Sequence, residues 1–404
     1  MNPSRYPVWA ELAVLTAAFA LSHAFRTVVT LVSMSLRSEL GLGNESIGLV
    51  GAAFHITFGV MQLPMGVALD LYGPRRVIAV VFPAAVGGAI LTVLSSDALT
   101  LVAGQLLIGL GCSPVFLAAL VIIGRSYPEG QFSRLSGIVL GVGGAGMLIT
   151  GTPLAWVVDA WSWRAAYLVL ALASLATWAL VLLVLSAEPL IEDRQGRTFA
   201  DALQQTNAIL VEPEIKGIIA LGAITYASFI SLRGLWLVPL LTERHGLTLI
   251  ESGHVALAGS IVVLFGPPLF GRVDPGGRKR RWLIVGCTVV YAGLFALLAS
   301  GTSATSDIVL TVIVSGLAGY FVLQYADVRS SFALPVLGRA MAVFNTSMFL
   351  GVAAMQWTSG LAASAASERG IDPLSAALWV ICVLLLTGAG AFAFLPPSSR
   401  SQNE

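Results

Sequence analysis

The sequence predicts an all-α membrane protein of twelve transmembrane helices, arranged as two related halves of six. Three observations carry that prediction. Of 404 residues, 57% are hydrophobic and only 11% charged, where a soluble domain carries roughly 25% charged residues. The apolar residues gather in runs long enough to cross a bilayer, which takes about 20 residues. Polar landmarks between the runs of the first half recur in the second half at a fixed offset. A water-soluble chain could not bury this much apolar surface, because folded interiors grow more slowly than chain length. Lipid is therefore the expected solvent for much of the exterior.

The apolar runs of the first half lie near 8–34, 46–69, 77–95, 98–124, 135–158 and 163–186. Those of the second lie near 216–241, 250–271, 282–300, 306–328, 338–363 and 373–395. The chain thus divides into an N-terminal bundle (1–186), a polar linker (187–215) and a C-terminal bundle (216–404). The first run is too long for a cleaved signal peptide and reads as a retained span.

Basic residues set the expected orientation, because cytoplasmic loops retain Lys and Arg. With the N-terminus inside, the cytoplasmic loops hold Arg75, Arg76, Arg125, Arg278, Lys279, Arg280, Arg281, Arg329 and Arg339, among others. Only Arg37, Arg164, Arg244 and Arg369 fall outside. Both termini are expected in the cytoplasm.

Other classes find little support. A net charge of +1 without a basic block gives no reason to expect a nucleic-acid partner. Cys112, Cys287 and Cys382 sit inside apolar runs, which argues against disulfides or a thiolate metal site. The chain lacks a lysine-bearing phosphate loop, a metal-ligand cluster and a nucleophile–base pair, so neither an enzyme nor a cofactor is expected.

The internal repeat is the next feature. Gly66-x-x-x-Asp70-x-x-Gly73-Pro74-Arg75-Arg76 follows the second run, and Asp274-x-x-Gly277-Arg278-Lys279 follows the eighth, 204 residues after Asp70. Arg125-Ser126-Tyr127-Pro128 follows the fourth run, and Arg329-Ser330-Ser331-Phe332 follows the tenth at the same offset. Asp70, Arg75, Arg76 and Arg125, with Asp274, Arg278 and Arg329, are expected to lock the ends of neighbouring helices and so act in gating.

These loops resemble the signature of the major facilitator superfamily and its degraded second copy. The resemblance covers essentially the whole chain. It implies two pseudo-symmetric six-helix bundles around a central cavity, rocking between two open states as a monomer in the bacterial inner membrane. Spans 1, 4, 7 and 10 would line the cavity, and spans 3, 6, 9 and 12 would face lipid. Two departures count against a proton-driven drug exporter. Gln105 stands where many relatives carry arginine, and the glycine-rich fifth run does not match the drug-antiporter pattern.

Two arginines interrupt the apolar runs. Arg26 lies in the first and Arg233 in the seventh, at near-equivalent places. An arginine in the hydrocarbon core costs about 2.5–3.5 kcal/mol on insertion scales, so it is retained for function more often than by accident. Paired guanidinium forks suit a carboxylate or phosphate. The arrangement is similar to that of organophosphate:phosphate exchangers and related organic-anion carriers. Snorkelling to an interface or pairing with an acid is the competing reading.

Helical spacing adds neighbours. His23 shares a face with Arg26, and Tyr226 and Trp236 share one with Arg233. Tyr320, Gln324 and Asp327 align on the tenth run, with Gln105 on the fourth and Asn345 on the eleventh. Packing, an interfacial belt or interhelical hydrogen bonds are the alternatives for these. His23, His55 and Asp327 are candidates for proton coupling. The resulting expectation is a secondary transporter for a small organic anion, by H⁺ symport or anion exchange. A drug exporter and a transporter-fold sensor remain as alternatives.

Overall fold

The computed structural model describes residues 6–127, 129–186, 213–331 and 334–394. Among these described residues, twelve helices of membrane length follow in order. They are α1 (Val8–Leu40), α2 (Asn44–Tyr72), α3 (Pro74–Val93), α4 (Ala98–Ser126), α5 (beginning at Glu129 and ending at Ala160) and α6 (Trp163–Val184). The second half holds α7 (beginning at Pro213 and ending at His245), α8 (Leu249–Arg272), α9 (Gly277–Ala299), α10 (Ala304–Ser331), α11 (Leu334–Glu368) and α12 (Pro373–Phe394). Most of the expected linker lies outside the described residues.

Length and composition make eleven of these helices able to cross a membrane. The twelfth, α11, has 35 residues and is more polar, with Asn345, Thr346, Ser347 and Gln356 along it. Its position explains the polarity. It packs along α2, α7 and α12, burying Gln356 and Ser359 against them while Leu350, Trp357 and Leu361 stay exposed.

Several helices are broken where the sequence removes a backbone donor or a Cβ. Pro83 divides α3, Pro114 divides α4, and Pro267 divides α8, since proline lacks an N–H and clashes with the preceding turn. In α5 the breaks fall at Ala145 and at Thr150–Gly151, just before Pro153. A π-helical turn at Leu232–Trp236 interrupts α7, a feature that recurs at functional sites.

Arginines staple the helix ends within each half, where terminal carbonyls lack helical partners. On the face that carries the termini, Arg75 donates to Leu182 O on α6 at 2.9 Å. In the second half Arg281 donates to Phe392 O on α12 and lies over the Phe392 ring. Arg280 holds Asp274 at 2.7 Å and reaches Ala326 O and Ser330 Oγ on α10, each at 3.0 Å. On the far face Arg164 caps Val93 O and Ser95 O, and Arg244 caps Leu298 O.

The halves meet through α1–α7, α2–α11 and α5–α8. Glycines grade these seams. Cβ atoms placed at Gly48, Gly51 and Gly59 of α2 would crowd Gln356 O, Gln356 Oε1 and Phe349 Cβ of α11, at 2.7, 2.9 and 3.0 Å. One placed at Gly151 of α5 would come within 2.9 Å of Leu257 Cβ on α8. Small residues thus let the helices close up, as they do generally in membranes. Further along, Gly66 of α2 and Gly137 and Gly141 of α5 face open space, with nothing within 4 Å. The seams are closed at the far face and splayed toward the face of the termini.

Candidate functional site

Arg26 lies near the middle of α1, 4% exposed. Its guanidinium carbon stands 4.5 Å from the Phe58 ring centroid, 4.9 Å from Phe349 and 5.7 Å from Phe19. Nη2 donates to Ser22 Oγ at 3.3 Å and Nη1 to Tyr226 OH at 3.4 Å. Nε has no partner, and no carboxylate pairs with the group among the described residues. Cation–π contacts are worth about 0.5–2 kcal/mol each, depending on desolvation. They offset part of the burial cost but leave the charge unneutralised. The shell draws on both halves, since Tyr226 and Phe349 come from α7 and α11.

His23 lies one turn from Arg26, buried, edge-on to Phe19 at 4.6 Å, with both ring nitrogens unpartnered. On the opposite wall Tyr226 and Phe321 are 5.8 Å apart, and Phe321 and Tyr325 are 6.1 Å apart. Tyr325 donates to Asn345 Oδ1 at 2.6 Å. Tyr226, Phe321, Tyr325 and Asn345 keep partial exposure. These groups form an aromatic, hydroxyl-bearing wall facing Arg26, which meets no carboxylate among the described residues.

Arg233 is placed differently. The π turn of α7 aims its side chain across the seam at the break in α5. Nη2 donates to Met147 O at 3.1 Å, Thr150 O at 3.2 Å and Thr150 Oγ1 at 3.3 Å, and Nε donates to Ser260 Oγ at 3.2 Å. Nη1 is buried without a partner. The broken helix frees carbonyls, and the guanidinium satisfies them.

The other sequence candidates scatter. Gln105 donates to Tyr167 OH at 3.0 Å, tying α4 to α6. Tyr320 pairs with Thr288 inside the second half, and Gln324 exchanges hydrogen bonds with Thr225 of α7. Trp236 donates to Ser359 Oγ at 2.9 Å toward the far face. His55 Nδ1 lies 3.1 Å from Gly51 O, with Nε2 unpartnered. Asp327 sits at the terminal end of α10, where its carbonyl accepts from Ser330 and Ser331. Among the gating candidates, Arg76, Arg125, Arg278 and Arg329 are exposed, and the side chain of Asp70 lies outside the described residues. Asp274 takes Arg280 as its partner.

Sequence reasoning missed the rings around Arg26. Phe19 was visible in principle, seven residues before Arg26 and on the same helical face. Phe58 and Phe349 come from other helices, and nothing in the sequence points them at α1. The far-face bridge between Arg37 and Glu243 was likewise invisible.

The Major Facilitator Superfamily model matches residues 14–356. The chain belongs to the major facilitator superfamily. Relatives within reach are distant. The "Probable sulfoacetate transporter SauU" of Cupriavidus necator is 26% identical over 194 residues, 48% of this chain but only 44% of that relative's length. The "Probable galactarate/D-glucarate transporter GudP" of Bacillus subtilis is 23% identical over 84% of this chain and 82% of its own. Among solved structures, a D-xylose–proton symporter superposes with a TM-score of 0.76 at 14% identity, covering 98% of this chain and 99% of the symporter. That likeness concerns the fold. Membership of the superfamily makes the chain a transporter rather than an enzyme.

Proposed function

We propose that the protein carries a small organic anion across the bacterial inner membrane by alternating access, with Arg26 as the anion's main ligand. The carrying observation is a buried guanidinium, flanked by aromatic rings, that meets no carboxylate among the described residues. Phe58 and Phe349 pack together beside the guanidinium, and its Nε is free, so Arg26 can grip an incoming acid edge-on with two parallel bonds. Tyr226, Tyr325 and Asn345 supply hydroxyl and amide groups for the body of the solute. His23, with two free nitrogens beside the cation, is the proposed site of coupled protonation. Relatives named for sulfoacetate and for galactarate or D-glucarate support an acidic solute. In this reading the splayed face is cytoplasmic, and the conformation is inward-open.

Proteoliposome counterflow tests the proposal. Saturable exchange of sulfoacetate, galactarate or D-glucarate by the wild type, lost in Arg26→Gln, is the expected result. Exchange confined to cationic or uncharged solutes would overturn it.

A further inference from the structure

A buried polar chain links two helices of each half. Thr27 of α1 and Thr150 at the break in α5 share a hydrogen bond of 2.6 Å between their hydroxyls. Thr150 accepts from Arg233 of α7 through both its carbonyl and its hydroxyl, and Arg233 continues to Ser260 of α8. All four side chains are 2% exposed or less. We infer that this chain is a latch holding the far ends of the halves together, and that Arg233 serves as its coupling residue.

Each link has a reason to be breakable. The acceptors for Arg233 are neutral carbonyls and hydroxyls, whereas a carboxylate offers an opposite charge and can take two parallel bonds from the guanidinium. A carboxylate reaching the seam therefore competes for the same guanidinium, whose Nη1 is already unpartnered. The latch also abuts the anion site, on whose assignment the ligand-driven step rests. A Cβ at Gly234 would lie 2.9 Å from Arg26 O, so the π turn touches α1 at Arg26 itself. Thr27 follows Arg26 directly and returns a bond to His23 O at 3.2 Å. A ligand that shifts Arg26 thereby shifts the first link.

Paired spin labels in the full-length protein test this. Cysteines replace the exposed Asp159 at the far end of α5 and the exposed His254 near the far end of α8, with the three native cysteines removed. The label–label distance is read first without solute. Arg233→Gln should shift the population from the short toward a longer distance at least severalfold, while Arg26→Gln should keep the short distance. A ligand-free distribution in Arg233→Gln equal to that of the wild type would overturn the latch, since a residue acting only as a solute ligand predicts no change. If Arg233→Gln does not fold, the pair Thr150→Val and Ser260→Ala reads the same distance with the same two outcomes. Sulfoacetate and D-glucarate are then added to the wild type. Lengthening that is lost in Arg26→Gln supports the ligand-driven step. A latch that opens in Arg233→Gln but responds to no anion in the wild type would leave the latch standing and sink the solute assignment.

Discussion

Arg37 at the far end of α1 and Glu243 at the far end of α7 meet across the seam, with Nη1 and Oε1 2.5 Å apart. Both keep about a fifth to a quarter of their side-chain surface exposed, 20% and 26%. Exposed pairs contribute about 0–1 kcal/mol, and salt screens them. Arg37→Gln or Glu243→Gln should therefore loosen far-face closure only a fewfold. The double exchange Arg37→Glu with Glu243→Arg should restore it. Labelling of a far-face cysteine by a membrane-impermeant maleimide measures the effect, and equal labelling in all forms would refute a closing role for the pair.

At the anion site, Arg26→Lys keeps the charge but loses the planar fork and the stacking on Phe58 and Phe349. Losing a hydrogen bond to a charged group costs about 1.5–3 kcal/mol, roughly 10- to 100-fold in affinity. Solute titrations followed by tryptophan fluorescence should show that weakening in Arg26→Lys and no binding in Arg26→Gln. Wild-type affinity in the lysine variant would show that the fork is dispensable.

The graded seam between α5 and α8 separates two glycine substitutions. Gly151→Val cannot keep Leu257 at its present distance, and overpacking costs about 1–3 kcal/mol. It should bias the protein toward an open far face and raise maleimide labelling there. Gly141→Val, facing open space, should leave labelling unchanged. Equal behaviour of the two variants would contradict the splayed geometry.

The terminal face offers a pH test. Burial pushes the Asp274 carboxyl up, but the hydrogen bond from Arg280, the Gly276 amide and the guanidinium charge together hold it below the ordinary carboxylate range. A depressed folded value means the bridge stabilises fully above the unfolded pKa of about 3.9 and fades as pH falls below it. Melting temperatures of wild type and Asp274→Asn should differ at pH 7 and converge below about pH 4. A gap that persists in acid would indicate a loss unrelated to charge.

Much of the fold was legible because lipid imposes a simple rule on sequence: every spanning segment must be apolar and must satisfy its own backbone. The rule blurs only at α11, whose polar residues face neighbouring helices instead of lipid. Arg26 was legible for the same reason, as a charge that lipid would not tolerate without purpose. What Arg233 does in this conformation was not legible. Its sequence position matches that of Arg26, yet its neighbours are set by a break in α5, a helix some 80 residues away in the chain. Gln105, Tyr320 and Trp236 show the same limit. Helical periodicity tells which residues share a face but not which face turns to the cavity.

The arginine staples have a mechanical consequence. Arg75 to Leu182, Arg281 to Phe392 and Arg164 to Val93 each tie a helix end to a neighbour within its own half. Each half is thereby stiffened into a lever arm, and deformation is confined to the seam where glycines and hydroxyls meet. Little of the work done by a bound solute leaks into bending the arms. A single cation near the fulcrum is then well placed to throw the whole lever.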